Sequence, residues 1–79
     1  MNKDQQEHML FLEEQLRWAK EQDRILANIE DKLYEMKKIA EYASEHSLSA
    51  LEVEKLNSQL NGLKEEIQCL EKQLQPMVH

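Results

Sequence analysis

The chain has almost none of the residues that build turns and sheets. Among its 79 residues there is one glycine, Gly62, and one proline, Pro76, and aromatic residues make up only 5%. Glycine and proline are the strongest turn formers, and strands are enriched in aromatic and β-branched residues. The composition therefore excludes a β sandwich or barrel and predicts a nearly all-helical chain.

Groups for catalysis and metal binding are also scarce. One cysteine, Cys69, and three histidines cannot form a disulfide framework or a structural zinc site. The residues three before His8 and His46 are Gln5 and Ala43, so the Glu-x-x-His motif of di-metal helical bundles is missing. A glycine-rich phosphate loop is missing because the chain has a single glycine. We therefore expect no enzymatic activity, no cofactor, no metal and no small-molecule substrate.

Positive charge and long apolar runs are in short supply. The chain has 10 basic and 16 acidic residues and a net charge of −6. An acidic surface repels phosphate backbones and anionic lipids, so we expect no nucleic acid partner. The longest apolar run, residues 9–12, is far shorter than the ~20 residues that span a bilayer, and no secretory signal opens the chain. With one free cysteine, these features favour the reducing cytoplasm and argue against membrane insertion.

What the chain does have is an uninterrupted heptad repeat in its last third. Seven apolar residues alternate three and four positions apart and fill every core position of three heptads: Val53, Leu56, Leu60, Leu63, Ile67, Leu70 and Leu74. A row of apolar side chains of this kind stabilises a helix only when another helix packs against it. The sequence therefore predicts a coiled coil.

The first half of the chain carries a wider apolar face. Asp4 and Glu7 resemble a capping box, which predicts that a helix begins at residue 4. Two neighbouring columns then repeat every seven residues. One consists of Leu12, Ala19, Leu26, Leu33 and Ala40, joined by Ile29, Met36 and Ala43, and the other of Phe11, Trp18, Ile25 and Ile39, with Lys32 as its charged member. A face of this width suits a helix in a bundle of three or four.

A break between two helices is predicted near the middle of the chain. Residues 44–49 are the stretch least favourable to helix, and Ser49 with Glu52 forms a second capping box, while Leu48 and Val53 hold the positions of a hydrophobic staple. Continuing the heptads of the first helix places a core position six residues before Val53, a shift that continuous coiled coils do not absorb easily. The predicted elements are a helix at 4–45, a turn at 46–49, a helix at 50–75 and a tail at 76–79.

We predict that the two helices fold back into an antiparallel helical hairpin. Reversal at the turn brings together residues whose numbers add up to about 95 or 96, because both helices rise equally per residue. Ile67 then meets Ile29, and Leu63 meets Leu33. The predicted seam comprises Ile29, Leu33, Met36, Ile39, Val53, Leu56, Leu60, Leu63, Ile67, Leu70 and Leu74.

The second helix is too short to cover the first. Residues 4–20 would project beyond it by roughly 17 residues, or about 25 Å. This segment holds the most apolar and aromatic part of the chain, in which we expect the oligomer or partner interface: Met9, Phe11, Leu12, Leu16, Trp18 and Ala19. We expect a second copy to dock there, giving a homodimer with a four-helix bundle, and a different protein is the other candidate occupant.

These features indicate a small interaction protein, an adaptor or regulator that works through helix–helix contacts. One alternative is an export-type chaperone that holds a client through exposed apolar helix. Another is a structural spacer built on a continuous parallel coiled-coil dimer about 105 Å long. Such a dimer would place Glu66 opposite Glu71, a like-charge pair that weighs slightly against it.

Overall fold

The computed structural model describes residues 2–74, which form two helices, α1 (Lys3–Glu45) and α2 (Ala50–Gln73). The chain reverses direction between them, and the helices pack against each other along one side. The predicted all-α helical hairpin is therefore confirmed, and the continuous helix of the alternative is not the fold observed. The end predicted for the second helix, at residue 75, and the predicted tail at 76–79 lie outside the described residues.

The N-cap of the first helix lies two residues before the predicted one, and the helix begins at Lys3. Asn2 is the N-cap, with extended backbone angles (φ −82°, ψ 169°), and its Oδ1 accepts a hydrogen bond of 2.8 Å from the Gln5 backbone N–H. The prediction that Asp4 caps this helix is wrong, because Asn2 holds the cap position and its side chain accepts the Gln5 N–H. Asp4 instead lies within that turn, where its negative charge faces the positive end of the helix dipole.

The connection between the helices is held by local hydrogen bonds at both ends. At the end of α1 the His46 ring stacks on Tyr42 with centroids 4.0 Å apart, and its Nδ1 lies 2.8 Å from the Tyr42 carbonyl oxygen. At the start of α2 the Ser49 Oγ accepts a hydrogen bond from the Glu52 N–H at 3.2 Å and donates one to the Glu52 carboxylate at 3.1 Å. Ser49 is thus the N-cap, although Glu52 reaches the Ser49 hydroxyl rather than its backbone N–H.

The core of the hairpin is small and lies towards the open end, away from the turn. Its buried residues are two from each helix, Ile25, Ile29, Ile67 and Leu70, and Met36 and Leu74 pack against them. Ile25 is the most deeply buried, with 2% of its surface exposed. Ile29 and Ile67, which the sequence places opposite each other, belong to this one cluster.

The seam follows a different column of α1 from the one expected at its centre. Lys32 is half-buried, with 22% of its side chain exposed, and its Nζ lies 2.7 Å from Glu66 Oε2 on α2. Leu33, which the sequence placed opposite Leu63, instead keeps 51% of its surface exposed. Ile29 lies four residues after the buried Ile25, and Lys32 lies three residues after Ile29, so these three residues share one face of α1. Leu33 lies about 100° further round the helix.

The remaining predicted seam residues follow the hairpin from the core to the turn. Four of them are half-buried: Ile39, Leu56, Leu60 and Leu63. Val53 lies one turn into α2 and is 42% exposed. The side chains of the seam are therefore more deeply buried at the open end of the hairpin than beside the turn.

The two helices differ greatly in length, and this difference sets the shape of the molecule. α1 has 43 residues and α2 has 24, so α2 leaves the first 19 residues of α1 uncovered. We call residues 3–21 the overhang. The molecule measures 70 × 18 × 13 Å, and its long axis is close to the ~65 Å length of α1 alone.

Candidate protein-interaction surface

The overhang exposes the largest group of apolar side chains in the described chain. Five large hydrophobic residues of the overhang each have between 44% and 59% of their surface exposed: Met9, Leu10, Phe11, Leu12 and Leu16. Trp18 and Ala19, which lie nearer the end of α2, are half-buried. The structure thus places all six predicted interface residues on the segment that α2 leaves uncovered.

Beside the seam, α1 carries a second apolar column whose side chains are exposed except for the half-buried Ala19. We call this column the stripe, and its members are Met9, Leu12, Leu16, Ala19, Leu26 and Leu33. Four of them directly follow a residue of the seam column, namely Phe11, Trp18, Ile25 and Lys32. Consecutive residues of a helix are about 100° apart, so the stripe faces sideways, at roughly a right angle to α2. A helix of this kind can pack against two neighbours at once, as in a bundle.

The apolar character of the stripe is continuous in the overhang and interrupted beyond it. From Met9 to Ala19 every position three or four residues apart is apolar. Continuing the same spacing brings Asp23 and Glu30 into the stripe, between Ala19, Leu26 and Leu33. The overhang is therefore the part of α1 best suited to pack against another helix.

Three ion pairs lie on the surface of the described residues, two of them within α1 and one between the helices. Arg24 donates two hydrogen bonds to Glu21, of 2.7 and 3.2 Å, and these bonds lower the pKa of the Glu21 carboxyl below its usual value. The hydrogen bond to Glu66 has the opposite effect on a base and raises the pKa of the Lys32 ammonium group. Pairs of this kind within or between exposed helix faces contribute little individually. Lys32 differs because its stem lies in the seam.

The described residues contain no cluster of groups typical of a metal or catalytic centre. Within residues 2–74, no three or more His, Cys, Asp or Glu side chains lie close enough together to hold a metal ion. Cys69 is exposed on α2. Across the same residues, neither helix is apolar enough over a sufficient length to cross a bilayer.

Two features of the surface were not predicted from the sequence. Lys32 reaches across the seam to Glu66, and the only signal for this was that Lys32 is the charged member of an otherwise apolar column. The stripe also continues beyond the overhang as the exposed Leu26 and Leu33. Two neighbouring apolar columns in the sequence do not reveal which one the second helix covers.

Comparison with known proteins finds no match, whether with protein-family models, with curated proteins or with solved structures. The shape and chemistry of the stripe are therefore the basis for a proposal about function.

Proposed function

We propose that this chain is a small non-enzymatic interaction protein, an adaptor or regulator that packs the stripe of α1 against a helix of another molecule. One observation carries the proposal: five large hydrophobic side chains stand exposed together on the overhang. Proteins in water seldom leave a patch of this kind uncovered, and such patches mark interaction sites.

The shape of the overhang fits recognition between helices. Anchors at positions i, i+3 and i+7, here Met9, Leu12 and Leu16, are the pattern by which an amphipathic helix packs into an apolar groove. Phe11 and Trp18 flank them, and aromatic residues are enriched among the side chains that dominate binding energy. Burial of apolar surface contributes roughly 25 cal/mol per Å², so anchors of this size can drive association.

The charge and the cysteine content limit the kinds of partner and compartment that we propose. A net charge of −6 disfavours nucleic acid and anionic lipid, which leaves proteins as the partners that suit the stripe. The single, exposed Cys69 favours a reducing compartment, and we propose the cytoplasm.

The test compares one substitution on the stripe with one outside it. Leu12→Glu puts a charge among the exposed anchors, and Leu51→Glu does the same on α2, where Leu51 is 74% exposed. We expect Leu12→Glu to lose the association shown by the wild-type chain, with itself or with a protein that copurifies from the cells that express it. Leu51→Glu should retain that association. If Leu12→Glu associates as strongly as the wild type in both measurements, the stripe is not an interaction surface.

A second candidate function is a chaperone that holds an unfolded client. Leu10 is 59% exposed and lies outside the stripe, so the overhang is apolar on more than one side. This second apolar side favours the chaperone function. A chaperone of this type would suppress the aggregation of an unfolded protein at equimolar ratio, measured by turbidity, and Leu12→Glu would weaken the effect. The spacer alternative was predicted for one continuous helix, whereas α1 and α2 are separate helices of a hairpin.

A further inference from the structure

We infer that the segment of this chain that follows α2, residues 75–79, folds back along α1 and covers Trp18. The segment itself lies outside the described residues. Three features point to the contact: the burial of α1 beyond the end of α2, the way in which α2 ends, and the length and composition of the segment. The contact is made within one chain and does not depend on the proposed function.

The face of α1 that packs against α2 stays partly buried beyond the end of α2. Residues of the two helices at the same height along the axis have numbers that add up to about 95 or 96, so Leu74 lies near the height of Gln22. Gln15, Trp18 and Ala19 are nevertheless half-buried. Gln15 lies about 10 Å beyond Gln22 along the axis, where α2 no longer runs.

Elsewhere in α1, half-burial marks contact with the second helix. Between residues 22 and 45 the half-buried positions lie in the seam or beside it: Gln22, Asn28, Lys32, Met36, Ile39 and Ala43. In the overhang every residue other than the three named above is exposed, including Gln5 and Gln6, which carry the same side chain as Gln15. The half-burial around Trp18 therefore indicates that a further part of the molecule lies against this face.

The chain leaves α2 in an extended conformation beside the same face. Leu74 is the C-cap of α2, with φ −73° and ψ 120°, and its backbone N–H donates a hydrogen bond of 3.1 Å to the Glu71 carbonyl oxygen. The Leu74 side chain is half-buried and packs against the core of the hairpin. The next residues therefore start next to Gln22 and on the side of α1 that carries Trp18.

The segment has the length and the side chains needed to continue this contact. Pro76 lacks a backbone N–H and disfavours helix at the residue before it, so the sequence does not favour a longer α2. An extended chain advances ~3.3 Å per residue, so residues 75–78 span about 13 Å, more than the ~10 Å between Gln22 and Gln15. The apolar side chains that can reach Trp18 are Pro76, Met77 and Val78.

The burial of the overhang ends near the limit of this reach. Phe11 follows Gln15 on the same face, lies about 16 Å from the height of Leu74, and is 44% exposed. The segment is also tethered about 6 Å along the axis from Trp18, which gives it an effective concentration of about millimolar. A separate molecule has to exceed that concentration to take its place. Leu12 and Leu16 remain exposed for a partner, which reaches Trp18 only by displacing the segment.

The first experiment uses Trp18, the only tryptophan of the chain, as a fluorescent reporter. Met77→Asp together with Val78→Asp puts charge on the apolar part of the segment. Gln75→Asp together with His79→Asp is the matched control, because it adds two carboxylates at polar positions of the same segment. Acrylamide quenching of Trp18 should rise about twofold in the first variant, since a large aromatic surface becomes exposed, and should stay near the wild-type value in the control. No rise in the first variant, or an equal rise in both, would overturn the contact.

The second experiment uses disulfide formation within one chain, in a Cys69→Ser background. Val78→Cys is combined with Gln15→Cys or, as the control, with Glu13→Cys, which lies at nearly the same height but about 160° round the helix. In dilute solution under mild oxidation, the pair with Gln15→Cys should form an intramolecular disulfide about tenfold faster, measured by mass spectrometry of the monomer. Equal rates would overturn the contact. Links that form only between two chains would assign this face to a second copy and would overturn it as well.

The contact and the proposed function fail independently. Loss of association in Leu12→Glu tests the stripe, which stays exposed with or without the segment. Quenching of Trp18 and the disulfide within one chain test the segment, and both are measured on the monomer.

Discussion

The two ends of α1 carry similar apolar columns but lie in different environments. Residues 22–45 pack against α2 and bury Ile25 and Ile29, whereas the overhang keeps Phe11 exposed at the equivalent position of the same column. The difference comes from the length of α2, which ends at Gln73, and not from any change in the pattern of α1. The paired end therefore holds the fold, and the unpaired end is the part that we propose as the interaction surface.

The largest expected effect is on the paired end. Ile25→Ala should lower the free energy of unfolding by about 2–5 kcal/mol, because it leaves a cavity at the most buried position of the hairpin. Leu26→Ala, on the neighbouring exposed position, should change it by about 0.5 kcal/mol or less. Chemical denaturation followed by circular dichroism measures both. Ile25→Val, with an expected loss of about 0.5–1.5 kcal/mol, gives a graded value if Ile25→Ala does not fold. Equal losses for residues 25 and 26 would contradict the proposed core.

The next effect is on the overhang and concerns association rather than folding. Leu12→Ala together with Trp18→Ala should shift the assembly towards monomer, because both residues lie on the overhang, in the proposed interaction surface. Helix content should stay near that of the wild type. Light scattering over a range of concentrations measures the shift. An unchanged mass for the folded double variant would remove the overhang from the interface.

The two helix caps provide a smaller comparison between the same regions. Ser49→Ala should destabilise the hairpin by about 1 kcal/mol, because Ser49 caps the helix that forms half of the seam. Asn2→Ala removes the equivalent hydrogen bond from the overhang, where fraying leaves the core intact. At low protein concentration its effect on global unfolding should be less than half that of Ser49→Ala. Equal effects would mean that the overhang folds and unfolds together with the core.

The smallest expected effect is a pH dependence at the polar position of the seam. The hydrogen bond to Glu66 raises the pKa of Lys32 above its ordinary value of 10.5. The stabilisation is therefore complete below pH 10.5 and is lost as the pH rises through the raised value. The stability of the wild type relative to Lys32→Met should fall over this range. A stability difference between wild type and Lys32→Met that stays constant over this pH range would assign no role to the pair with Glu66.

Much of the fold could be predicted because it depends on local patterns. The heptads of α2, the cap at Ser49 and the change of register before Val53 each act within a few residues, and together they predict the turn and the hairpin. The cap of α1 was assigned to Asp4 rather than Asn2 because both residue types cap helices well.

The seam was harder to predict at its centre because two columns of α1 are apolar there. Leu33 is the more hydrophobic choice, yet it is exposed and Lys32 lies in the seam. A lysine can bury the aliphatic part of its side chain while its charged end reaches a carboxylate. A search for apolar residues alone does not detect such a position. The location of the proposed interaction surface was predicted from the unequal lengths of the two helices.

The most direct test of the hairpin with its unpaired overhang is a distance between the two helices within one molecule. Spin labels at Glu30→Cys and Gln68→Cys, both exposed positions, in a Cys69→Ser background diluted with unlabelled chain, report that distance without contributions from a second copy. Neighbouring helices pack about 8–10 Å apart, so we expect a label separation of about 10–25 Å. A separation near 57 Å, the length of 38 residues of continuous helix at about 1.5 Å each, would contradict the hairpin and the surface inferred from it.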